Sequence, residues 1–552
     1  MISLSHLARP RRTRLRLIAQ NLRQSKAKVF YNNLHSLPPS VGDTTVAVPK
    51  LAMNTPAPAV IPAGGRRGRN LILCFDGTGE QYDKDVKYSN IVRFVRLLKK
   101  GDPSQQMVYY QPGVGTGIGS SGPSNPFLKQ IFYRLDQAFA TGLPMHVRGG
   151  YEFLMNNYKE GDRISLFGFS RGAYTARALA GMLHKVGLLT AHNKEQIDHA
   201  YQMYKRDDDE GWTMSAGFKD TFSIDVKIDF VGVFDTVNSV GLIPRELPFA
   251  RSNYLISVFR HAVALDERRG KFKAHLWGQG PGYEEKPSDR KHENCHKPES
   301  HGWISMMRNS IPSRIWVQNT ANFHTSTRKN GHDFATPEER RHKTNVKEVW
   351  FVGTHSDVGG GSVPNGTPNH LARIPLRWMI RECFANNTGI LFERSRLEAI
   401  GLNVTALQQL VKAPASPELE VTSTKADNKE ENSNKVTKIM TPANNKVPGL
   451  PKFVPNEAVR LITTEDEKDA VEPLHDQLSR SRWWWIVELL PMKYQKHDGT
   501  LRSWLSMNLG KARTIHGQQR FPTYVHKSVL YRMQKTGYKP HAKLLENPAP
   551  RS

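Results

Sequence analysis

Cysteine is scarce in this 552-residue chain, and long apolar runs are absent. The three cysteines, Cys74, Cys295 and Cys383, are odd in number and far apart, which excludes a disulfide framework and indicates a reducing, intracellular compartment. They form no Cys-x-x-Cys spacing, and we expect neither a bound metal nor another cofactor. The densest apolar stretch, Trp483–Leu490, is far shorter than the ~20 residues that a membrane-spanning helix needs. We therefore expect a soluble or peripheral protein.

Acidic residues are missing from the first 42 positions, which carry eight Lys and Arg. This Arg- and Ser-rich composition is typical of a mitochondrial transit peptide, and a disordered basic arm explains it equally well. We assign 1–65 to such an arm, so the expected location is mitochondrial if the arm is a targeting segment and cytoplasmic otherwise. The whole chain has a net charge of +27, which favours anionic partners such as membrane surfaces. No aromatic-basic RNA signature or zinc finger accompanies the charge, which argues against nucleic acid.

The most informative motif is Gly168-Phe169-Ser170-Arg171-Gly172. It lies where an apolar run, Ile164–Phe169, meets an Ala-rich helical pattern, Arg171–Leu183. A G-x-S-x-G sequence between a strand and a helix is the nucleophile elbow of α/β-hydrolases, a strained turn that exposes the serine hydroxyl. An ordinary strand-to-helix turn is the alternative interpretation.

Short apolar runs alternate with helical patterns over much of the chain. This alternation predicts an α/β fold, an α/β-hydrolase-like, mostly parallel sheet flanked by helices. The predicted strands are Arg69–Phe75, Gln106–Gln111, Ile164–Phe169, Val226–Phe234 and Val346–Val352, and the predicted helices include Asn90–Leu98 and segments within Phe127–Tyr158.

Ser170, Asp235 and His355 each follow one of the predicted strands. The carboxyl ends of parallel strands meet at one edge of a sheet, so these side chains can converge. Their chain order is that of an α/β-hydrolase triad, in which the imidazole takes the serine proton and the carboxylate orients the imidazole. Asp357 is an alternative acid, and Asp235 could instead cap a turn. His526 is the second candidate for the base.

Acyl transfer also needs hydrogen-bond donors for the developing oxyanion. The backbone N–H of Arg171, directly after the nucleophile, is one candidate. Gly77 and Thr78 follow the first predicted strand and are candidates for the second donor. Asp76 beside them is expected to order the turn or to pair with Arg171. The glycine-rich loop 113–117 lacks the Lys and Ser/Thr of a phosphate-binding P-loop.

Composition divides the chain further. We assign 66–412 to the catalytic domain, with a polar insertion over 271–345 that could form a lid. The segment 413–471 is poor in apolar residues and is expected to be a disordered linker. Beyond it, helical patterns at 474–490 and 501–508 predict a helical C-terminal extension, 472–552, that packs on the core.

Five motifs occur in a fixed order: Phe75–Thr78, Gly168–Ala173, Gly232–Val237, His261–Arg269 and His355–Gly361. Together they resemble the uncharacterised α/β-hydrolase domain family that includes the type VI secretion phospholipase effectors. The resemblance spans about 69–410. It implies lipase or phospholipase A activity on glycerophospholipids without a metal, with Ser170, Asp235 and His355 in the positions of the family's triad.

Two functions follow as hypotheses. The first is a serine hydrolase of acyl esters, with a lipid substrate and peripheral contact with anionic membranes. The alternative is a catalytically inactive hydrolase-fold protein that binds anionic membranes or nucleic acid. The Trp cluster at 483–485 could insert at a lipid interface, where indoles are favoured. The alternative interpretation is that this segment packs on the hydrolase core.

Overall fold

A computed structural model describes residues 59–65, 68–77, 87–113, 127–237, 247–278, 344–412, 463–482, 484–489, 492–495, 503–516 and 524–545. The predicted N-terminal arm lies outside these ranges up to residue 58, and most of the predicted lid (279–343) and linker (413–462) also lies outside them.

Strands and helices alternate over residues 59–237, as the sequence pattern predicts. The strands are β1 (Val60–Pro62), β2 (Asn70–Phe75), β3 (Gln106–Gln111), β4 (Arg163–Phe169), β5 (Leu188–Leu189), β6 (Ser223–Ile224) and β7 (Ile228–Phe234). The helices are α1 (Asn90–Leu97), α2 (Phe127–Asn157), α3 (Arg171–Val186), α4 (Gln196–Lys205) and α5 (Asp209–Phe222).

The middle of the chain adds two sheet strands and a helical layer. Its strands are β8 (Ile256–Ala264), β9 (Asn345–Phe351) and β10 (Leu391–Glu393), and its helices are α6 (His355–Gly359), α7 (Arg373–Ala385), α8 (Arg394–Ala399) and α9 (Val404–Lys412). A short 3-10 turn, Gly270–Phe272, follows β8.

The central sheet has the strand order β3-β2-β4-β7-β8-β9, and every neighbouring pair in it is parallel. Helices cover both faces. One buried cluster joins the sheet to α2, α3, α4 and α5, and a second joins it to α1 and α7. The α/β fold class is therefore as predicted, and strands such as β2 are buried on both sides.

The chain reverses its direction of growth across the sheet between β2 and β4, because β3 lies outside β2. Such a switch point opens a crevice beyond the strand ends, which is where ligands bind in open α/β sheets. Gly77 and Ser170 lie directly beyond β2 and β4.

The part of the chain after 463 differs from the predicted helical extension. It contains α10 (Thr464–Ala470), α11 (Gln477–Arg480), α12 (Trp484–Glu488) and α13 (Lys527–Thr536). It also contains β11 (Met492–Gln495), β12 (Ser503–Ser506), β13 (Thr514–His516), β14 (Tyr524–Val525) and β15 (Lys543–Leu545). The segment 501–508, predicted to be helical, includes β12, which pairs with β11 in an antiparallel ladder. β14 extends the central sheet beside β9.

The predicted linker ends earlier than its polar composition suggests. Thr463 and Asp466 form a capping box at the start of α10. Asp466 and Asp469 are fully buried and form ion pairs with Arg377 on α7, and Asp466 also pairs with Arg381. The acidic residues that resemble a solvated linker are thus neutralised inside the protein.

The ordered domain also begins slightly before the predicted boundary at residue 66. Val60 to Pro62 form β1, which pairs antiparallel with β10 through Val60 and Glu393 at one end of the ladder. Within the described ranges, no helix combines the length and the apolar content that crossing a bilayer requires.

Candidate active site

The turn between β4 and α3 holds Ser170 in an unusual backbone conformation. Its φ is 58° and its ψ is −122°, a region that side-chain-bearing residues seldom occupy. The N–H of Ser170 donates to the carbonyl of Phe234 at the end of β7 (3.0 Å), which fixes the turn to the neighbouring strand. The motif Gly168–Gly172 therefore has the geometry of a nucleophile elbow.

The two glycines of the motif are required by close packing. A Cβ atom on Gly172 would lie 2.3 Å from the carbonyl oxygen of Phe75, and one on Gly168 would lie 2.5 Å from Cα of Ala173. Real Cβ atoms do not approach other atoms so closely, so a larger residue at either position would push α3 away from the sheet.

Ser170, His355 and Asp235 form one continuous chain of hydrogen bonds. The hydroxyl of Ser170 donates to Nε2 of His355 (2.8 Å), and Nδ1–H of His355 donates to Oδ2 of Asp235 (2.6 Å). All three residues are buried. Three groups from separate strand ends thus meet at one sheet edge, in the arrangement that activates a serine nucleophile.

The imidazole of His355 lies between two aromatic rings. The rings of Phe169 and Phe272 have their centres 4.7 Å and 4.8 Å from the imidazole centre. The backbone N–H of His355 donates to Glu267 (3.2 Å). Burial lowers the pKa of His355 below its usual value, although the charges of Asp235 and Glu267 oppose this change. A lowered pKa favours the neutral ring, the form that can accept a proton.

Asp235 has a second partner, the cation Arg513, which the sequence did not reveal. Nη1 of Arg513 donates to Oδ1 of Asp235 (2.6 Å), and Nη2 donates to Oδ2 (2.9 Å). Ala264 also donates its backbone N–H to Oδ1 (2.9 Å). Burial alone would raise the pKa of Asp235, but Arg513 and His355 together hold it well below its usual range. Asp235 is thus ionised and held on both oxygens.

The alternative acid, Asp357, lies elsewhere in the hydrogen-bond network. It accepts bonds from the N–H and hydroxyl of Thr354 and from the ring of His475 (2.8 Å). Its role is to cap α6, the helix that begins with His355. The carboxylate that bonds the imidazole of His355 is therefore Asp235 and not Asp357.

Two further histidines, the alternative base His526 and His261, have contacts away from Ser170. His526 caps α13 by accepting from the N–H of Ser528. His261 lies in the buried strand β8 and contacts Glu348 (2.8 Å), rather than the neighbouring Asp266.

The predicted oxyanion donors are only partly described. Thr78 lies outside the described residues. Gly77 lies against the nucleophile, since a Cβ on it would be 3.4 Å from Cβ of Ser170. Its N–H, however, donates to Oδ1 of Asp76 (2.7 Å). Asp76 thus orders this turn, as expected, and also accepts from the hydroxyl of Tyr110 (2.9 Å).

The first residue of α3, Arg171, carries the third predicted donor. The leading N–H groups of a helix have no acceptor in the helix's own ladder and point toward the space before it.

Among the described residues, no cluster of three or more His, Cys, Asp or Glu side chains is arranged to hold a metal ion.

Comparison with known proteins identifies the family. The family model described as T6SS, phospholipase effector Tle1-like, catalytic domain matches residues 69–382, more than half of the chain. The chain belongs to this family. The match confirms the resemblance found in the five ordered motifs, and it ends well before Arg513.

One curated protein is similar over most of the chain. The uncharacterized protein YEL023C of Saccharomyces cerevisiae is 29% identical over 556 residues, which cover 85% of this chain and 79% of that protein.

Two solved structures are similar at lower levels. An uncharacterized protein from Pseudomonas aeruginosa is 18% identical, with a TM-score of 0.30, over 63% of this chain and 51% of that chain. The Tle1 effector bound to the VgrG spike of the type VI secretion system is 18% identical, with a TM-score of 0.26, over 59% and 57%. The chain thus spans little more than half of either protein.

Proposed function

We propose that the protein is a serine hydrolase that cleaves acyl esters of phospholipids. The observation that carries this proposal is the hydrogen-bonded chain Ser170–His355–Asp235 at a strained turn. Oγ of Ser170 attacks the acyl carbonyl carbon while its proton passes to Nε2 of His355. The tetrahedral intermediate then expels the alcohol, which takes that proton, and leaves an acyl-serine.

Water completes the cycle. His355 removes a proton from a water molecule, the resulting hydroxide attacks the acyl-serine, and the serine oxygen leaves with the proton from Nε2. Asp235 holds the Nδ1–H tautomer and stabilises the imidazolium that forms in each half-reaction. Its ionised state suits that role, because Arg513 keeps its pKa low.

Charge that develops on the substrate oxygen needs donors near Ser170. The N–H of Arg171 at the start of α3 is the donor we assign to it, aided by the positive end of the helix dipole. Gly77 is the second candidate, and it becomes available when the carboxylate of Asp76 releases its N–H. Burial raises the pKa of Asp76, and hydrogen bonds from Ser89, Gly77 and Tyr110 oppose this change.

The phospholipid substrate is supported by the family's description and by the net charge of +27, which favours anionic membrane surfaces. The short helix α12 supports contact with a membrane. Its Trp485 and Ile486 and the next residue after it, Leu489, are 40%, 60% and 57% exposed, whereas Trp484 and Val487 are buried. The ring of Trp484 packs edge-on against Phe272, which in turn contacts His355.

We assign an anionic bilayer to this exposed face, because exposed cations lie near it. Arg480 and Arg482 directly precede the helix, and Lys511 follows Gly510, whose N–H donates to Glu488. The buried face of this helix fits packing on the core, and its exposed face supports the proposed membrane contact. In flotation with anionic phosphatidylglycerol vesicles, Ile486→Asp should reduce binding while leaving hydrolysis of a soluble ester unchanged. Met145→Asp, at a residue 59% exposed on α2, is the matched control. Equal binding by both variants would remove α12 from the membrane contact.

The hydrolase proposal is tested by active-site labelling. The wild-type protein should react with a fluorophosphonate probe and release fatty acid from a phospholipid panel, and Ser170→Ala should lose both. Ser104→Ala, at an exposed serine, is the control. A Ser170→Ala variant that keeps the wild-type rate would refute the assignment. A wild-type protein that does not react, yet binds RNA or anionic vesicles in a salt-dependent way, would favour the inactive-scaffold alternative.

A further inference from the structure

A strongly basic cleft lies outside the triad. It has a volume of about 520 Å³ and lies between α1, the loop before α7, and α8. None of the three triad residues lines it. The side chains that give the cleft its charge are Arg93, Arg96, Arg373 and Arg396.

The positive charge of this cleft is only partly balanced. Arg373 lies 3.6 Å from both Glu465 and Asp469. Arg96 and Arg396 form no ion pair with a carboxylate in the described part of the chain, although Arg396 donates to the backbone carbonyl of Arg96. The guanidinium of Arg396 thus lies against the backbone at the end of α1, and that of Arg96 lies 5.7 Å from the centre of the Tyr88 ring. Two cationic side chains from α1 and α8 therefore line one cleft, and a ligand that carries negative charge would be attracted to both.

The local field of these arginines is visible at a neighbouring lysine. Burial lowers the pKa of Lys100, and the charges of Arg396 and Arg96 lower it further. Glu393 is the carboxylate that opposes them.

His370 adds a neutral donor to the same cleft. Nη1 of Arg93 lies 2.9 Å from Nε2 of His370. A guanidinium can only donate, so Nε2 accepts and the ring proton must lie on Nδ1. This Nδ1–H is buried and has no acceptor among the described residues. A buried donor without an acceptor is costly, and an anion in the cleft would provide one.

We propose that the basic cleft binds a phosphate group. Guanidinium groups present paired N–H donors whose geometry matches phosphate oxygens, and several of them can bind one dianion from different sides. The volume accommodates a phosphomonoester or a diphosphate. The phosphate can belong to a soluble compound or to the head group of a lipid, since both present the same oxygens.

Titration calorimetry with inorganic pyrophosphate tests this proposal on the full chain. The Ser170→Ala background prevents hydrolysis of lipid probes and makes the result independent of the hydrolase proposal. The double variant Arg96→Gln/Arg396→Gln should raise the Kd by about tenfold or more, the loss expected for a charge-assisted hydrogen bond. Arg394→Gln, which removes the same charge from α8 at a residue outside the cleft, should bind like the parent.

Vesicles distinguish the sources of the phosphate. Flotation compares phosphatidylcholine vesicles with and without phosphatidic acid, whose head group is a phosphomonoester. Saturable pyrophosphate binding that the double variant loses supports a soluble ligand, and binding to phosphatidic acid alone that it loses supports a lipid. The proposal is overturned if the parent binds neither probe, or if the double variant binds as well as the parent. Thermal unfolding and the two single variants guard against misfolding.

Discussion

Arg513 is the residue whose removal tests the electrostatics of the candidate site most directly. It donates to both oxygens of Asp235 and, through Nη1, to the carbonyl of Ala264 (3.0 Å). Arg513→Met keeps much of the side chain's apolar volume but removes its charge and its donors. Asp235 would then retain the N–H of Ala264 and the ring of His355 as partners.

The expected change in the pKa of His355 follows from the distance between Arg513 and His355. Nη2 of Arg513 and Nδ1 of His355 bond the same oxygen of Asp235, at 2.9 and 2.6 Å. The two nitrogens therefore lie within about 5.5 Å, where a unit charge at an effective dielectric constant of ~20 is worth roughly 3 kcal/mol. That energy corresponds to about 2 pKa units. The effect is smaller than this because the guanidinium spreads its charge over atoms that lie farther from the imidazole. We expect the pKa of His355 to rise by about 1 to 2 units in the variant.

The direction of the change in the pKa of His355 follows from the positive charge of Arg513. Arg513 disfavours a positive charge on His355, so its removal makes the imidazole more basic. A more basic imidazole is protonated at higher pH, and the acid limb of kcat/KM for a soluble ester should move upward. Breaking a buried ion pair also costs about 3–5 kcal/mol of folding stability, so Arg513→Lys, which keeps a charge, provides a milder variant.

The assay is a pH profile of kcat/KM for a short-chain p-nitrophenyl ester between pH 5 and 9, after thermal unfolding has shown a folded protein. Arg532→Met is the matched control, because Arg532 is also a buried arginine of the C-terminal part but donates to the carbonyls of Ala470 and Glu472. A folded Arg513→Met protein with the wild-type acid limb would refute the reasoning.

Three further predictions concern activity and stability. Asp235→Asn should lower kcat by roughly 10⁴-fold, because it favours the wrong imidazole tautomer; esterase kinetics measure this. Gly172→Ala should lower the melting temperature and the labelling of the serine, since the new Cβ meets the carbonyl of Phe75 at 2.3 Å. Asp466→Asn should lose about 3–5 kcal/mol in urea unfolding at neutral pH by breaking its buried pair with Arg377. Arg381 and Arg377 outweigh burial and lower the pKa of Asp466, so wild-type stability falls as the pH drops through the carboxylate range and the variant's falls less.

The sheet and the position of the candidate nucleophile could be predicted because their signals are local. A buried parallel strand is a short apolar run, and Gly168–Gly172 marks where one such run ends and a helix begins. Ser170, Asp235 and His355 could be grouped because parallel strands present their carboxyl ends at one edge. Their catalytic roles still await the experiments above.

The remaining features depend on contacts between distant parts of the chain. Arg513 reaches Asp235 across 278 residues, and nothing in its own neighbourhood marks it as part of a site. The acids of α10 resemble a linker until Arg377 is placed opposite them. The residues of β12 have a helical pattern, and the prediction of a helix there is wrong. This four-residue segment acquires its conformation from its ladder with β11.

The contact between Asp235 and Arg513 also concerns the order in which the polypeptide is made. Translation delivers the serine, the carboxylate and the imidazole long before it delivers this arginine, and folding during synthesis begins from the amino-terminal side. On an unfinished nascent chain the buried Asp235 therefore lacks its permanent counter-ion. The site reaches its final charge balance only after Arg513 has been synthesised and has packed against Asp235.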